Sequence, residues 1–478
     1  MGATMNIRKK FLMFGLLLYL TIGGLRFASF DYFKTSSFMA YNNDTFYWTW
    51  CALQLAEHGK VDFFDTRLFS NLQNPYFQGC FFSPGYTFIA LILFKIFGIT
   101  ILPLQIVLFL AYLLTLILVY EILKYLFNDR FVRNMTFLVF VLNPYSLLFS
   151  FAVRPDTLAF LFAVLSALFA LKSKTLLSAL SFITSVLVFK QNYVILLFVI
   201  IYFLFLSIKL KGNVRKLRDV IAPLLKFIIP IALSFAVYYF TIYLYVKTNF
   251  PEMVEYLSKS NTSTLSSYLK TDRFHLLIYM PFYFGMPSLI GMIYFMGTIL
   301  TLPITGGIAE IVQRRALTHL FLMIGIGEIS SKMKNLGRIF ITFTVIYTIL
   351  ISIHLVIADF KAAYKENEYM REIIKLGEKN LICSMNSPAS GFTAYLFHQN
   401  TNLIYRFDKN LATDLSTCDI IYVPDVRINQ LLNNKFYPLF YNKVKILQVP
   451  SHRKYFKESL RFTLDLFLNR LKNPQVRE

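Results

Sequence analysis

Asp44 is an acid placed where apolar chain gives way to polar chain, a setting that suits proton transfer. It closes the run Tyr41-Asn42-Asn43-Asp44 beyond a first apolar segment, and an aromatic helix is expected over Thr45–His58. A carboxylate held at a membrane surface can serve as a general base, taking the proton of an attacking hydroxyl. The same residue would also make a good N-cap for the helix it precedes. Tyr47, Trp48 and Trp50 follow, residue types that populate an interfacial aromatic belt. A second element, Phe81-Phe82-Ser83-Pro84-Gly85-Tyr86, opens a semi-apolar segment that runs to Phe97-Gly98 and puts Tyr86 near its start.

Basic residues form the next group. Arg154-Pro155-Asp156 stands between two apolar runs. Pro155 suits the first turn of a helix and Asp156 its positive end, but neither role explains Arg154. Its planar guanidinium fork suits a phosphate. Lys190 interrupts another apolar run ahead of Gln191-Asn192-Tyr193, and Arg314-Arg315 lead a further one. Each alone reads as a snorkelling anchor. Together they could converge on an anionic lipid headgroup, since ionisable residues near membrane depth are functional candidates by default. The histidines are scattered without ligand spacing, so no metal site is expected. Neither a Gly-rich phosphate loop nor an Asp-x-Asp element is found.

Such residues need a scaffold, and composition names its class. Of 478 residues, 56% are hydrophobic and 17% aromatic, with a mean hydropathy of +0.55. Apolar stretches recur between short polar breaks, at about the 20 residues that a span requires. The chain reads as a polytopic helical membrane protein. Its net charge of +22 does not point to nucleic acid, because the basic residues cluster in the breaks: Arg8-Lys9-Lys10, Arg130 with Arg133, Lys172 with Lys174, the 209–218 cluster, and Lys332 with Arg338. Clusters of this kind keep positive loops in the cytoplasm. The first span lacks an evident cleavage site and is read as a retained anchor.

Holding those loops inside yields a topology. Spans are expected at about 11–29, 103–127, 134–151, 156–172, 175–190, 192–209, 220–246, 274–290, 291–312, 316–331 and 337–358. The segment 84–99 is read as a helix lying in the outer interface, because as a span it would put Arg130, Arg133, Lys172 and Lys174 outside. About eleven spans leave 30–102, 247–273 and everything after about 360 external. Residues 1–360 thus form an all-α membrane domain and 361–478 a small external α/β domain. In the latter, apolar runs at 380–385, 402–407, 419–423 and 443–449 alternate with helical stretches near 391–398 and 426–432. A basic amphipathic tail, 454–471, is expected to rest on the membrane or on that domain. Cys51, Cys80, Cys383 and Cys418 all fall in segments read as external, where disulfides persist. Cys51–Cys80 with Cys383–Cys418 is one of the three pairings that four cysteines permit, sequence alone does not choose among them, and four unpaired small hydrophobes is the bland alternative.

With these features in order, the chain resembles the GT-C superfamily of membrane glycosyltransferases, which use polyprenyl-phosphate sugars. It is most similar to the branch of protein mannosyltransferases and aminoarabinose transferases. Members carry an acid early in the first external loop, matched by Asp44, and an interfacial segment opened by a proline motif, matched by Phe82-Ser83-Pro84-Gly85-Tyr86. A small-residue/Pro/Asp turn after the third span is matched by Arg154-Pro155-Asp156, and a lysine ending the fifth by Lys190. A late Arg-Tyr-Leu-Pro-like element is echoed by Arg315-Ala316-Leu317-Thr318-His319. The resemblance covers roughly 1–360. The chain departs from it in two places: the paired acids common in the first loop reduce to Asp44 followed by Thr45, and the proline motif lacks its arginine and second proline.

The resemblance implies inverting transfer of a sugar, for instance mannose, from a polyprenyl phosphate to a lipid, glycan or protein acceptor on the outer face. Asp44 would be the base. Arg154, Lys190 and Arg315 would hold the phosphate, with Asp156, Tyr47 and Tyr86 completing the substrate contacts. No cofactor is required, although a divalent cation could assist. The location would be the plasma membrane of a prokaryote, or the endoplasmic reticulum of a eukaryote. A polytopic transporter or lipid-linked-glycan flippase is the alternative, which prolines such as Pro144, Pro230, Pro281 and Pro287 would also serve. The long first external loop and the lack of a repeat pair weigh against it.

Overall fold

The computed structural model describes residues 11–21, 45–60, 83–100, 102–142, 155–189, 218–249 and 316–350, positions between 200 and 207, residue 353, and four short strands between 382 and 449. In chain order the helices are α1 (Phe11–Thr21), α2 (Thr45–His58), α3 (Pro84–Phe97), α4 (Leu102–Leu126), α5 (Arg130–Leu142), α6 (Pro155–Leu171), α7 (Thr175–Val188), α8 (Arg218–Asn249), α9 (Ala316–Lys332) and α10 (334–350).

Among the described residues, two stretches are long and apolar enough to cross a membrane: α4, and Ile221–Tyr238 within α8. α4 is apolar on every side, as a helix enclosed by hydrocarbon or by packed neighbours must be. α8 turns much of its apolar surface away from protein, with Leu233, Val237 and Phe240 respectively 62%, 68% and 64% exposed. A continuous surface of that kind suits lipid. Pro223 and Pro230 lie within it.

The centre of the molecule is a helical bundle in which α4 packs on α6, α6 on α7, α7 on α8, and α5 on α9. Rings interlock at one level: Tyr112 of α4, Phe140 of α5 and Phe160 of α6 have centroids 6.1–6.4 Å apart. Tyr19 of α1 stacks on Phe109 at 5.4 Å, and Gly15 lets the ring of Phe137 come close. The α6–α7 hairpin is stitched by polar groups. Ser166 Oγ donates to the Ser178 carbonyl at 2.7 Å, Ser178 Oγ donates back to the Ser166 carbonyl at 2.8 Å, and Ser185 Oγ donates to the Ala159 carbonyl at 2.8 Å. Between apolar helices such bonds each contribute about 0.6 kcal/mol.

The α4–α5 hairpin turns at 127–129 and the α6–α7 hairpin at 172–174, and both turns are basic. The first turn meets the start of α10 through Asp129 and Arg338, and the chain around these two residues carries Glu121, Lys124, Arg130, Arg133, Glu328, Lys332 and Lys334. Asp129 organises it. Its Oδ1 accepts the backbone N–H groups of Phe131 (2.8 Å) and Val132 (3.4 Å), capping α5, and its Oδ2 accepts from Arg338 at 3.3 Å. Burial pushes this carboxyl up, but the two backbone N–H groups and the Arg338 guanidinium outweigh that and hold it below the usual carboxylate value.

The Asp129 cap also explains one departure from expectation. A span was expected to begin at 134, after Arg133. The cap starts the helix at Arg130 instead, and Arg133 is only 4% exposed, its Nη1 lying 3.4 Å from the Phe127 carbonyl. The tight turn after α6 needs Ser173 at φ +59°, a left-handed conformation that lets Lys174 N–H reach back to the Phe169 carbonyl at 2.8 Å.

α3 behaves differently from the bundle helices. Its 14 residues measure about 21 Å, short of a span. Tyr86, Thr87, Ala90 and Phe94 are buried, while Phe88, Ile92 and Ile96 form an exposed apolar stripe at four-residue spacing. That two-faced pattern suits a helix lying along a membrane surface.

Towards the C-terminus, β1 (Ile382–Ser384), β2 (Leu403–Tyr405), β3 (Ile420–Pro424) and β4 (Lys445–Val449) form a parallel sheet in the order β2-β1-β3-β4. Cys383 lies opposite Ile404 and Ile421. β1, β2 and β4 fall within three of the apolar runs expected from sequence, and β3 extends one residue past the run expected at 419–423. The helical stretches expected near 391–398 and 426–432, the tail at 454–471, and the spans expected between 274 and 312 lie outside the described residues.

Candidate functional site

The site is best approached through α3, whose start is fixed by sterics. Pro84 occupies the first helical position, where its missing N–H costs nothing. Gly85 follows because there is no room for a side chain: a Cβ there would stand 3.2 Å from the carbonyl carbon and oxygen of Leu187 and from Val188. The start of α3 is therefore pressed against the end of α7. That end is closed by the Phe189 N–H donating to Ser185 at 2.9 Å, and the Ser185 hydroxyl ties it to Ala159 of α6. One turn before Ala159 lie Pro155 and Asp156, both buried at the start of α6. Asp156, 4% exposed, sits at the positive end of its helix, which favours a carboxylate.

α2 joins the same end through α3. Lys95 Nζ donates to the Ala56 carbonyl at 2.9 Å, capping the last turn of α2. The two C-terminal ends thus meet, and since α2 packs along α3, their starts lie together as well. Cys51, buried in the middle of α2, is disulfide-bonded. α9 runs towards Lys332 at the basic turns, so it too begins at the opposite end.

The α3 start, the α6 start and the α7 end thus meet, at the end of the α6–α7 hairpin remote from its basic 172–174 turn. Of the residues expected to act, Tyr86 and Asp156 are described and are buried there. Tyr47 is on the first turn of α2. Asp44, Arg154, Lys190 and Arg315 lie outside the described residues. In the chain Arg154 adjoins Pro155 and Lys190 adjoins Phe189, which belong to that meeting point, while Asp44 precedes α2 and Arg315 precedes α9.

Sequence reasoning missed a second set of residues. Gln105, in the first turn of α4, is 1% exposed, and neither its amide nitrogen nor its oxygen has a hydrogen-bond partner. The hydroxyls of Ser83 and Thr87 at the start of α3 and the Oε1 of Gln54 on α2 are likewise buried without partners. Each such group costs roughly 1–3 kcal/mol to bury. The available signal was Gln105 interrupting an apolar run, Leu104-Gln105-Ile106-Val107, but its burial depends on α3 and α6. Among the described residues no group of His, Cys, Asp and Glu is arranged to hold a metal ion.

Comparison of the chain with family models, curated proteins and solved structures finds no match.

Proposed function

We propose that this protein is a multi-pass membrane glycosyltransferase that moves a sugar from a polyprenyl phosphate to a lipid, glycan or protein acceptor. The observation that carries the reading is the meeting of the α3 start, the α6 start and the α7 end, which adjoin Tyr86, Asp156, Arg154 and Lys190 in the chain. Two further features support an outward-facing site. The opposite end carries the basic turns, the mark of a cytoplasmic face. Cys51 is disulfide-bonded on the site side, and disulfides persist outside the cytoplasm.

In this mechanism the donor's chain lies between helices, with its phosphate at Arg154, Lys190 and Arg315. An acceptor hydroxyl attacks the anomeric carbon from the face opposite the phosphate. The new C–O bond forms as the bond to the phosphate oxygen breaks, inverting that carbon. Asp44 takes the hydroxyl proton, and polyprenyl phosphate leaves as an anion stabilised by the cations. Asp156 and the aromatic side chains orient the substrates. The C-terminal sheet belongs to an external α/β domain that shapes the acceptor path.

Asp44→Asn tests the reading against a transporter or flippase. Purified full-length protein in liposomes is incubated with radiolabelled polyprenyl-phosphate mannose and related donors. Sugar consumption by the wild type and a loss of roughly 10²–10⁴-fold in the variant, at unchanged thermal stability, are expected. Donor translocation without consumption, unaffected by the substitution, would sink the enzymatic reading.

A further inference from the structure

One face of α10 changes character along its length. Lys334 opens the helix, and Arg338 follows one turn later on the same side. Beyond them, Ile339, Thr342, Phe343 and Ile346 share with Arg338 an open groove of about 260 Å³. Ile339, Phe343 and Ile346 are all exposed along it. Thr342 makes no polar demand there, because its hydroxyl donates to the Arg338 carbonyl at 2.8 Å. The groove is an apolar trough with a cation at its mouth. That cation is held in place. Arg338 Nη2 donates to Asp129 Oδ2 at 3.3 Å, and the guanidinium carbon lies 5.7 Å from the centre of the Phe131 ring. The side chain is still 54% exposed, and its guanidinium makes no other hydrogen bond among the described residues. Nearby acids are already engaged, Asp129 by two backbone N–H groups and Arg338, and Glu328 by Lys332 at 2.9 Å. Positive charge is therefore in excess at the head of the groove.

We infer that this groove binds one anionic diacyl phospholipid, its phosphate on Arg338 and an acyl chain along Ile339, Phe343 and Ile346. The dimensions agree. From Arg338 to Ile346 the helix rises about 12 Å, close to the roughly 15 Å depth of one hydrocarbon leaflet. Headgroup and chain thus fall where a leaflet puts them. The uncommitted N–H groups of the Arg338 fork suit phosphate oxygens. A zwitterionic lipid would bring a further cation beside Lys334 and Arg338, whereas a glycerol headgroup brings none. Basic pockets at the cytoplasmic ends of membrane helices hold acidic headgroups by the same balance. The site asks only that α10 face lipid, and it stands whether or not the protein transfers sugar.

Lipid counting tests the inference. Full-length protein, stripped of lipid in detergent, is titrated with phosphatidylglycerol or phosphatidylcholine, and bound lipids are resolved by native mass spectrometry. Wild-type protein should bind phosphatidylglycerol about fivefold more tightly, the effect of one basic contact. Arg338→Gln should erase that preference. Asp129→Asn breaks the same ion pair but keeps the cation, so it should retain the preference or sharpen it. These two variants share the lost Asp129 contact, which separates a lipid site from a merely structural arginine. Phe343→Ala should weaken both lipids severalfold and leave their ratio unchanged. Lys172→Gln, on the other hairpin turn, should change neither. Equal binding of the two lipids by wild type would overturn the inference, and so would a preference that survives Arg338→Gln or disappears in Asp129→Asn. Displacement of bound phosphatidylglycerol by polyprenyl phosphate would give the groove to that lipid instead. A dimer whose separation is needed before phosphatidylglycerol binds would give it to a second copy of the chain. Either result would also overturn the assignment.

Discussion

The two ends of the helical bundle handle polarity in opposite ways. At the basic end Asp129 answers two backbone N–H groups and Arg338, Lys124 pairs with Glu121, Lys332 pairs with Glu328 at 2.9 Å, and Tyr120 donates to Asn134 at 3.2 Å. Short turns and local ion pairs account for most of it, with Arg133 the main exception. At the other end, charged residues are few among the described positions, yet Gln105, Thr87, Ser83 and Gln54 are buried with hydrogen-bonding groups unmet. The lesson is a division of labour. One end answers most of its polar groups with short turns and ion pairs, and the other buries several without an answer.

Substitutions at each end should therefore fail differently. The largest effect belongs to Asp44→Asn, with transfer falling by roughly 10²–10⁴-fold and thermal unfolding unmoved; a matching fall in melting temperature would make Asp44 a helix cap and nothing more. Gly337→Ala probes the basic end, where a Cβ would stand 2.0 Å from the Ser330 carbonyl oxygen. It should cost at least about 1–3 kcal/mol in stability, read by denaturant melts in detergent, while the protein that remains folded transfers sugar at the wild-type rate. Gly85→Val should couple the two properties, because the added atoms meet the backbone of α7 at 3.2 Å. A stability loss of about 1–2 kcal/mol should come with a transfer loss larger than that of Gly337→Ala. Equal transfer in the two variants would deny that the α3–α7 contact shapes the site.

Smaller effects sharpen the basic end. Asp129→Ala should cost about 1 kcal/mol through the lost cap, and Asp129→Asn less, since the amide oxygen still caps while the Arg338 pair is lost. The carboxyl titrates lower in the folded protein than in the unfolded chain. Its contribution is therefore complete above the unfolded value of about 3.9 and is lost as pH falls through the lower folded value. Melts between about pH 3 and 6 should converge for wild type and Asp129→Ala at the acid end. Ser178→Ala, which removes one of the stitching bonds, should be worth about 0.6 kcal/mol.

Much of this architecture is legible in the chain. Helix positions α4, α6, α7 and α9 follow from runs of apolar residues, and the β1–β4 strands coincide to within a residue with four short apolar runs. Pro155 with Asp156, and Pro84 with Gly85, mark helix starts by their own backbone chemistry. Arg133 was read as a loop residue because basic residues usually mark breaks; the Asp129 cap, a detail of hydrogen-bond geometry, put it inside a helix instead. Gln105 passed unnoticed because a single amide in an apolar run carries no sign of whether it finds a partner.

Hydropathy, charge clustering and turn residues are properties of neighbours in sequence, so the amino-acid order alone determined which segments are helices and which end of the bundle is basic. Which helix ends share a level could come only from packing. The Ser185–Ala159 bond joins residues 26 apart, the Lys95–Ala56 cap 39 apart and the Asp129–Arg338 pair 209 apart. Such contacts arise where close-packed surfaces happen to coincide, and no local pattern encodes that coincidence. For this protein the tertiary structure decided that the α3 start is pressed against α7 at Gly85, and that Gln54, Ser83, Thr87 and Gln105 are buried with polar groups that have no partner.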